Sequence, residues 1–398
     1  MTSGIETSGI ERHEVVIVGG GPVGLCLGVL LADRGIDVVV LESRAERSQH
    51  SRAIGIHPPG LRVLAAAGVA ETLKAAGVEL TEGRARSQGQ EVARLEFDPP
   101  VLSVPQWLTE QTLEARLAEL APGALRRGVH AVGLGKAGGA GQGGAAVVRA
   151  LDGGSEVSVA GRWVVAADGA RSPLRGALGI PVRERQYPDA YLMGDFADTT
   201  PDGAAAVLHL EPEGIVESFP LPGGVRRWVV HTDALETDPT PERLARLVVE
   251  RTGLAVDPRT STMLSAFTVC ERLAAAMLRG RVVLIGDAAH EVSPIGGQGM
   301  TLGWLDAEAF APLLAEDVRA VRYGWESDGA VAWPALRARV AEGRRRAAAE
   351  AARHAALNMA LGRPLPPTLM AARNAVFRGL YGAPVIRGWT SRRFTMQS

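Results

Sequence analysis

Glycine and acidic residues are spaced along the chain in patterns that could bind the phosphates and sugars of a nucleotide cofactor. The first pattern, VVIVGGGPVG at residues 15–24, places Gly-x-Gly-x-x-Gly between an apolar, strand-like run and a helix-like run. There Gly19 permits a tight turn, Gly21 lets a pyrophosphate approach the backbone, and Gly24 lets helix and strand pack closely. Glu42 ends the next predicted strand, where an acidic side chain can bind a ribose hydroxyl.

Three more segments combine a predicted strand end with glycine or aspartate. The sequence DGARSPLR at 168–175 follows one strand-like run, and GDAAH at 286–290 follows another. The sequence PIGGQGM at 294–300 then leads into a predicted helix, and three of the four residues 296–299 are glycine. Such a density of glycine indicates that something approaches the backbone closely. A glycine-rich turn without a ligand is the alternative.

The elements that would position these motifs predict an α/β protein. A strand at 14–18, a helix at 22–34 and a strand at 37–41 make one βαβ unit. Further helices are predicted at 60–67, 106–120, 241–252, about 299–314, beyond 335 and at 371–381, with strands at 80–105, at 163–167 and through most of 181–267. The segment 133–144 also satisfies Gly-x-Gly-x-x-Gly, but no apolar helix follows it, so a flexible hairpin loop is predicted there.

Length, charge and cysteine content exclude several classes of protein. The chain has 398 residues, enough for two or three domains. A net charge of -1 gives no electrostatic case for nucleic acid or an anionic membrane. Cys26 and Cys270 are expected to be small buried hydrophobic residues. The apolar stretch 15–31 is too short and glycine-rich for a membrane span, and the N-terminus lacks a signal-peptide pattern, so a cytoplasmic protein is expected. No oligomeric state is indicated.

In this order, the motifs resemble the para-hydroxybenzoate hydroxylase family, the class A FAD-dependent aromatic monooxygenases. Arg52-Ala53 and Gln106-x-x-Thr-Glu110 also match the family pattern, so the resemblance covers most of the chain. It implies an FAD-binding Rossmann-like βαβ domain, a β-sheet substrate domain and C-terminal helices. The implied reaction is hydroxylation of a phenolic, quinone or polyketide-type small molecule with NADH or NADPH and dioxygen, through a flavin C4a-hydroperoxide. Because one Rossmann unit has convincing context, the nicotinamide cofactor is expected to bind transiently.

The resemblance also implies which residues contact FAD. The pyrophosphate is expected at the first glycine loop, the adenosine ribose at Glu42, the adenine near the backbone at Val129 and the ribityl chain at Asp287. The full set is Gly19, Gly21, Pro22, Val23, Gly24, Glu42, Ser43, Arg52, Ala53, Gln106, Val129, Asp168, Gly169, Gly286, Asp287, Pro294, Gly296, Gly297, Gln298, Gly299 and Met300. Arg44 and Arg47 are candidates for the phosphates of the nicotinamide cofactor, or are ordinary solvated arginines.

The segment 294–300 can be connected to flavin chemistry on physical grounds. A reduced flavin is anionic, and the free N–H groups at a helix N-terminus stabilise such an anion by roughly 0.3–1 kcal/mol. Glycines at 296, 297 and 299 would let the ring touch this backbone. Thr301 stands where many relatives have asparagine, which removes a possible side-chain contact to the flavin.

The predicted domain boundaries follow the motifs. Residues 10–180 form an FAD-binding domain, within which 80–105 contribute strands to a substrate domain at 181–267. Residues 268–330 complete the FAD-binding domain, and 331–398 form a C-terminal helical region.

The sequence of the predicted substrate sheet argues against a benzoate substrate. Its strand GIVESFPL at 214–221 carries no arginine that could bind a carboxylate. An apolar aromatic or polyketide-like substrate is favoured instead, with candidate pocket residues Tyr191, His209, Phe219, Leu221 and Trp228. These side chains could equally be the core of a sheet. His57, His209 and His231 could each accept a phenolic proton, or each could be structural.

Two other functions share the same FAD scaffold. One is a flavin-dependent reductase or dehydrogenase of an isoprenoid-type substrate, which transfers no oxygen. The other is a flavin-containing protein that binds or channels a reactive intermediate without turnover. Reduction by NAD(P)H separates the enzymes from the binding protein, and oxygen incorporation separates the two enzymes.

Overall fold

A computed structural model describes residues 10–47, 53–135, 145–323 and 333–397. The first βαβ unit consists of β1 (Glu11–Val18), α1 (Pro22–Ala32) and β2 (Val38–Glu42). Helix α1 begins at a proline, whose fixed φ suits the first helical position, and it is apolar on all sides because it is buried. It ends before Gly35, which adopts a left-handed conformation with φ of 70°. This unit matches the predicted one.

The first half of the chain continues with short strands and helices. In order these are β3 (Gly55–Ile56), α2 (Pro58–Ala66), α3 (Ala70–Ala76), β4 (Val78–Ser87), β5 (Gln90–Ser103), α4 (Gln106–Leu120), β6 (Leu125–Arg127), β7 (Val129–Leu134), β8 (Ala146–Asp152), β9 (Ser155–Ala166) and α5 (Pro173–Ala177). Strands β7 and β8 form an antiparallel hairpin, as predicted for the second glycine-rich pattern. Residues 136–144 of that predicted loop lie outside the described part of the chain.

Among the described elements, the second half contains the longest strand and the longest helices. In order these are β10 (Val182–Ala197), β11 (Ala206–Glu211), β12 (Gly214–Leu221), β13 (Val225–Thr232), α6 (Pro241–Thr252), β14 (Met263–Ala274), β15 (Leu278–Arg279), β16 (Val282–Leu284), β17 (His290–Glu291), α7 (Gly299–Arg322), α8 (Trp333–Leu361), α9 (Pro367–Gly382) and α10 (Pro384–Phe394). Helix α7 continues beyond the predicted end near 314, and α10 was not predicted. None of the described helices is long and apolar enough to cross a membrane.

The strands form two sheets. Within the described residues, the first has the order β15-β16-β9-β1-β2-β6, with β8 pairing β9 and β7 pairing β8. Its central pairs are parallel, so the carboxyl ends of β1, β2, β9 and β16 meet at one edge. The second sheet has the order β17-β14-β10-β13-β12-β11-β4-β5-β3. The α/β fold class predicted from the sequence is therefore confirmed.

The domain boundaries remain a prediction, since the sheets show only which strands pair. Strands β4 and β5, which overlap the segment 80–105, pair within the second sheet. The strand β14 runs across the boundary expected between residues 267 and 268.

The two faces of the second sheet have different neighbours, because side chains alternate along each strand. One face packs on α6 through a buried apolar cluster of Leu192, Phe196, Val216, Trp228, Val230, Leu244, Leu247 and Val248. The other face points toward the first sheet and carries Met193, Ile215 and Val229. The phase of each strand therefore decides which side chains can reach a site between the sheets.

The contact between α2 and α7 depends on a glycine. A Cβ built on Gly60 would lie 2.9 Å from both Thr301 Oγ1 and Trp304 Cε3. We expect Gly60→Val to lower the free energy of unfolding by about 1–3 kcal/mol, because the added volume forces the two helices apart. Chemical denaturation checks this, with Gly343→Val as the control, because a Cβ at Gly343 meets no atom within 4 Å. Equal stability of the two variants would contradict the packing described.

Candidate cofactor and substrate site

A cavity of about 1020 Å³ lies between the carboxyl edge of the first sheet and the inner face of the second. Eighteen of the residues predicted to contact a cofactor line it: Gly19, Gly21, Pro22, Val23, Glu42, Ser43, Ala53, Gln106, Val129, Asp168, Gly169, Gly286, Asp287, Pro294, Gly296, Gly297, Gly299 and Met300. Gly24 and Gln298 do not line it, and Arg52 lies outside the described residues. The structure thus brings together motifs that are far apart in the sequence.

The first glycine loop shows a different requirement at each glycine. Gly19 has a φ of 107°, and a Cβ there would lie 2.2 Å from Ala167 O. Gly24 is needed for packing, since its Cβ would lie 1.9 Å from Gly19 O. Gly21 differs, because its φ of -77° is ordinary and a Cβ would meet no atom of the described residues within 4 Å. The space beside Gly21 is therefore open cavity, and the uncapped N-terminus of α1 faces it, which suits a phosphate.

The carboxylate of Glu42 is held in place by the loop that it faces. Its Oε2 accepts a hydrogen bond of 2.7 Å from Gly20 N, and its Oε1 accepts bonds from Arg44 N at 2.8 Å and Arg44 Nε at 3.0 Å. Burial opposes ionisation of Glu42, but the bonds from Arg44 and Gly20 lower its pKa overall. An ionised, fixed acceptor at the end of β2 fits a ribose hydroxyl.

The two arginines considered for a nicotinamide cofactor are engaged with carboxylates instead. Arg44 pairs with Glu42 and lies 3.8 Å from Glu110. Arg47 lies 3.7 Å from Glu114. Arg44 lines the cavity at its Glu42 end, so its position is beside the expected ribose site.

Arg175 connects two of the motifs. Its Nη2 donates to Ala170 O at 2.7 Å, and its Nη1 donates to Ala288 O at 2.8 Å. Nearby, Asp168 Oδ2 accepts from Leu174 N at 3.2 Å, while its buried Oδ1 has no partner in the described part of the chain. Burial raises the pKa of Asp168. The turn after β9 is thus fixed to the turn after β16.

Asp287 is an exposed residue that lines the cavity. No described residue forms a hydrogen bond with its carboxyl group, and desolvation within the cavity raises its pKa. Behind it, Asp306 accepts from Gly286 N at 3.0 Å, from His290 Nε2 at 2.6 Å and from Arg344 Nε at 2.7 Å. This buried ion cluster fixes the turn and leaves the carboxyl group of Asp287 available to a ligand.

We expect Asp287→Ala to weaken FAD binding roughly 10- to 100-fold, because one hydrogen bond from a sugar hydroxyl to a charged acceptor is worth about 1.5–3 kcal/mol. Asp287→Asn keeps an acceptor oxygen and should lose less. Fluorescence titration of the apoprotein with FAD measures both affinities. An unchanged affinity in Asp287→Ala would remove this residue from the cofactor site.

The glycines before α7 are open toward the cavity as well. Gly296 and Gly297 have φ of 94° and 64°, and their nearest neighbours to a Cβ lie 3.8 Å away. Helix α7 begins at Gly299 without a side-chain cap, so its first N–H groups are available. Gln298 points elsewhere, since its Nε2 donates to Phe394 O at 3.3 Å. This arrangement can receive the electron-rich edge of a flavin.

Of the three candidate histidines, His57 is the one placed beside these glycines. Its Nε2 donates to Gly296 O at 2.8 Å, and its buried Nδ1 has no partner in the part of the chain described. Burial lowers the pKa of His57 to about 4, so the ring is neutral at pH 7. Thr301 is fully buried against Gly60 and does not line the cavity.

Strand phase separates Trp228 and His209 from the cavity, while Tyr191 and Leu221 have the phase of cavity-lining neighbours but are covered by other residues. Phe219 lines the cavity. Trp228 does not, since it packs toward α6 on the opposite face, and the ring of His209 stacks on it at 6.2 Å. Tyr191 packs between Phe267 and His231, and Leu221 is buried at the end of β12, so neither reaches the cavity. Four of the five predicted pocket positions are therefore not supported by their location.

Two arginines of the second sheet reach the cavity. Arg227 on β13 donates two hydrogen bonds to Asp195, at 2.6 and 2.7 Å, and Arg84 on β4 pairs with Glu82. Both are thus engaged with protein carboxylates. Cys270 is half-buried and also lines the cavity, contrary to the expectation of a buried residue.

Two of the cavity residues that sequence reasoning missed are Glu217 and Phe394. Glu217 lies between Ile215 and Phe219 on the cavity face of β12, and burial raises its pKa to about 7. A single charged residue in an apolar strand was the available signal. Phe394 at the end of α10 stacks on Phe97 at 5.5 Å and lies edge-on to His57 at 5.9 Å. Nothing local in the sequence indicated that this helix returns to the site.

Comparison with known proteins agrees with this geometry. A family model described as FAD binding domain matches residues 12–327. The 3-(3-hydroxy-phenyl)propionate/3-hydroxycinnamic acid hydroxylase 2 of Burkholderia vietnamiensis is 32% identical over 326 residues, covering 77% of this chain and 57% of that protein. The rifampicin monooxygenase of Streptomyces venezuelae is 32% identical over 338 residues, covering 79% of this chain and 66% of that protein. The chain thus spans about three fifths of the length of these relatives.

A solved structure supports the fold. The p-nitrophenol 4-monooxygenase PnpA of Pseudomonas putida superposes with a TM-score of 0.85 at 24% identity, over 98% of this chain and 99% of that chain. The resemblance inferred from the motifs is confirmed. Because the family model covers most of the chain and its motifs surround one cavity, the chain belongs to the FAD binding domain family of para-hydroxybenzoate hydroxylase-like flavoproteins.

Proposed function

We propose that this protein is an FAD-dependent monooxygenase that uses NADH or NADPH and dioxygen to hydroxylate an apolar aromatic, phenolic or polyketide-type small molecule. The observation that carries the proposal is the continuity of the cavity. One side of the cavity carries the predicted cofactor-binding motifs, and the opposite side is the apolar inner face of the second sheet. A substrate on that sheet would therefore lie against the cofactor.

The residues present fit FAD. The open space at Gly21, the fixed carboxylate of Glu42 and the available carboxyl group of Asp287 suit a pyrophosphate, a ribose and a ribityl chain respectively. When bound, FAD supplies the redox chemistry and the activation of dioxygen. The protein binds and orients it, and the N–H groups at the start of α7 stabilise negative charge at its edge.

The protein also has to keep water from the reacting atoms. Apolar side chains from five strands of the second sheet line the cavity: Leu95, Phe97, Met193, Leu208, Ile215, Phe219 and Val229. Phe377, Tyr381 and Phe394 from α9 and α10 line it from the C-terminal side. This enclosure favours a substrate with one or more apolar rings.

Arg84 pairs with Glu82, and Arg227 pairs with Asp195. These pairings argue against a carboxylate as the main group by which the substrate is recognised. The relatives act on molecules of different size, since one is named for 3-(3-hydroxy-phenyl)propionate and another for rifampicin. An uncharged aromatic substrate agrees best with the cavity of this chain. We place the protein in the cytoplasm, where both nicotinamide cofactors are supplied.

The proposal is tested by mixing the FAD-loaded protein anaerobically with NADH or NADPH and then with oxygenated buffer containing a panel of naphthols and hydroxylated anthraquinones. We expect a nicotinamide-dependent loss of flavin absorbance and, after oxygen is added, a product 16 Da heavier than its substrate. Reduction without oxygen incorporation into any compound would favour the isoprenoid-type reductase. A flavin that neither nicotinamide cofactor reduces would favour a binding or channelling protein.

A further inference from the structure

Glu217 is a buried carboxyl group with no partner among the residues that the structure describes. It is 6% exposed, on the cavity face of β12 between Ile215 and Phe219. No described residue forms a hydrogen bond or an ion pair with it, and burial alone raises its pKa to about 7. A buried carboxyl group without a compensating partner is costly and rare in folded proteins.

Other buried acids of the same sheet are satisfied by the protein. Asp195 binds Arg227, Asp189 binds Arg363 at 2.7 Å, and Glu271 accepts from Tyr187 Oη at 2.9 Å. Glu211, on the neighbouring strand β11, accepts from Gln88 N at 3.1 Å. The sheet therefore provides partners for acids with a structural role, and Glu217 is different.

The charged and titratable groups around Glu217 leave its oxygens available. Tyr191 on β10 interacts with it electrostatically, and the hydroxyl of Tyr191 is buried without a hydrogen-bond partner in the described residues. Arg227 on β13 and Arg84 on β4 line the same cavity, but they pair with Asp195 and Glu82. Glu217 thus lines a cavity whose walls are mostly apolar.

We propose that Glu217 determines substrate specificity by accepting a hydrogen bond from a hydroxyl group of the aromatic substrate. This inference rests on the proposed function, because it deepens the substrate class of the same cavity. The unsatisfied carboxyl group selects a donor, and it repels a substrate carboxylate by like charge. A buried polar group that is left unpaired by the wrong ligand is an effective basis for discrimination.

Binding of three matched probes to the FAD-loaded protein tests the proposal without requiring turnover. The probes are 2-naphthol, 2-methoxynaphthalene and 2-naphthoate, and perturbation of the flavin absorbance measures their affinities at pH 8. We expect wild type to bind 2-naphthol about tenfold more tightly than 2-methoxynaphthalene, with 2-naphthoate weakest. Glu217→Leu should lose this preference, and Glu217→Gln should retain part of it because an amide oxygen still accepts.

A stability measurement distinguishes recognition from a structural role. A folded-state pKa raised above that of the unfolded chain destabilises the protein increasingly as pH rises from about 4.5 to 7. Glu217→Gln should therefore raise the Tm of the apoprotein more at pH 8 than at pH 5. The control Glu211→Leu removes a satisfied acid outside the cavity, so it should leave the probe preference unchanged.

Three results would overturn the proposal. One is a wild-type protein that binds none of the probes or does not prefer 2-naphthol. Another is a preference that survives in Glu217→Leu. The third is a fall in Tm at pH 8 for Glu217→Gln, which would show that the carboxyl group stabilises the fold. Failure of hydroxylation with intact probe preference would instead count against the monooxygenase function and leave this inference standing.

Discussion

Gly21→Val is expected to abolish useful FAD binding while the apoprotein still folds. Gly21 has an ordinary extended conformation, and a Cβ there meets nothing within 4 Å in the described part of the chain, so we expect valine to be tolerated by the protein itself. The same side chain would occupy the space where a pyrophosphate approaches the N-terminus of α1. Loss of two charge-assisted hydrogen bonds of about 1.5–3 kcal/mol each should raise the Kd for FAD at least ~100-fold.

The matched comparison is Gly24→Val in the same loop. Its side chain would collide with Gly19 O, so we expect a lower Tm of the apoprotein as well as lost FAD binding. Titration with FAD and thermal unfolding of both apoproteins separate the two effects, since Gly21→Val should change the Tm by no more than about 2 °C. Wild-type FAD affinity in Gly21→Val would disprove the position assigned to the pyrophosphate.

The contrast between these glycines explains why the cofactor half of the site could be predicted from the sequence. Each motif is a short turn at the end of a strand, so local spacing determines its geometry. Parallel strands bring their carboxyl ends to one edge, and this topology gathers Gly21, Glu42 and Asp287 around one cavity. Local pattern and simple topology are sufficient for this half.

The substrate half could not be predicted in the same way, because it depends on which face of a strand is covered. Phe219 and Trp228 are both aromatic residues on adjacent strands, yet Phe219 lines the cavity and Trp228 packs on α6. Nothing in either strand shows which face receives that helix. His209 faces away for the same reason, since it stacks on Trp228.

Contacts from the C-terminal helices are a second reason why part of the site could not be predicted from the sequence. Phe394 reaches His57 and Phe97, which lie about 300 residues earlier in the chain. Arg344 on α8 similarly binds Asp306 behind the second aspartate motif. Such pairings follow from the packing of whole helices, so neither hydrophobic periodicity nor motif spacing could indicate them.

Gly297→Val is expected to weaken FAD binding and to lower the reduction potential of the bound flavin. Gly297 has a φ of 64°, where a branched residue is strained, and its Cβ would project toward the cavity near His57. The backbone strain and the projecting side chain would each move the flavin ring away from the N-terminus of α7. The anion formed on reduction would then lose about 0.5–2 kcal/mol of stabilisation, which corresponds to a potential about 10–40 mV lower for two electrons.

Gly89→Val provides the matched control for backbone strain. Gly89 has a similar φ of 74° in the exposed turn between β4 and β5, and it does not line the cavity. Spectroelectrochemical titration should therefore give a wild-type potential for Gly89→Val and a lower one for Gly297→Val. If both variants kept the wild-type potential, the flavin edge could not lie at Gly297, and the start of α7 would have to serve another part of the ligand. If both lowered it equally, general strain rather than proximity would be the cause.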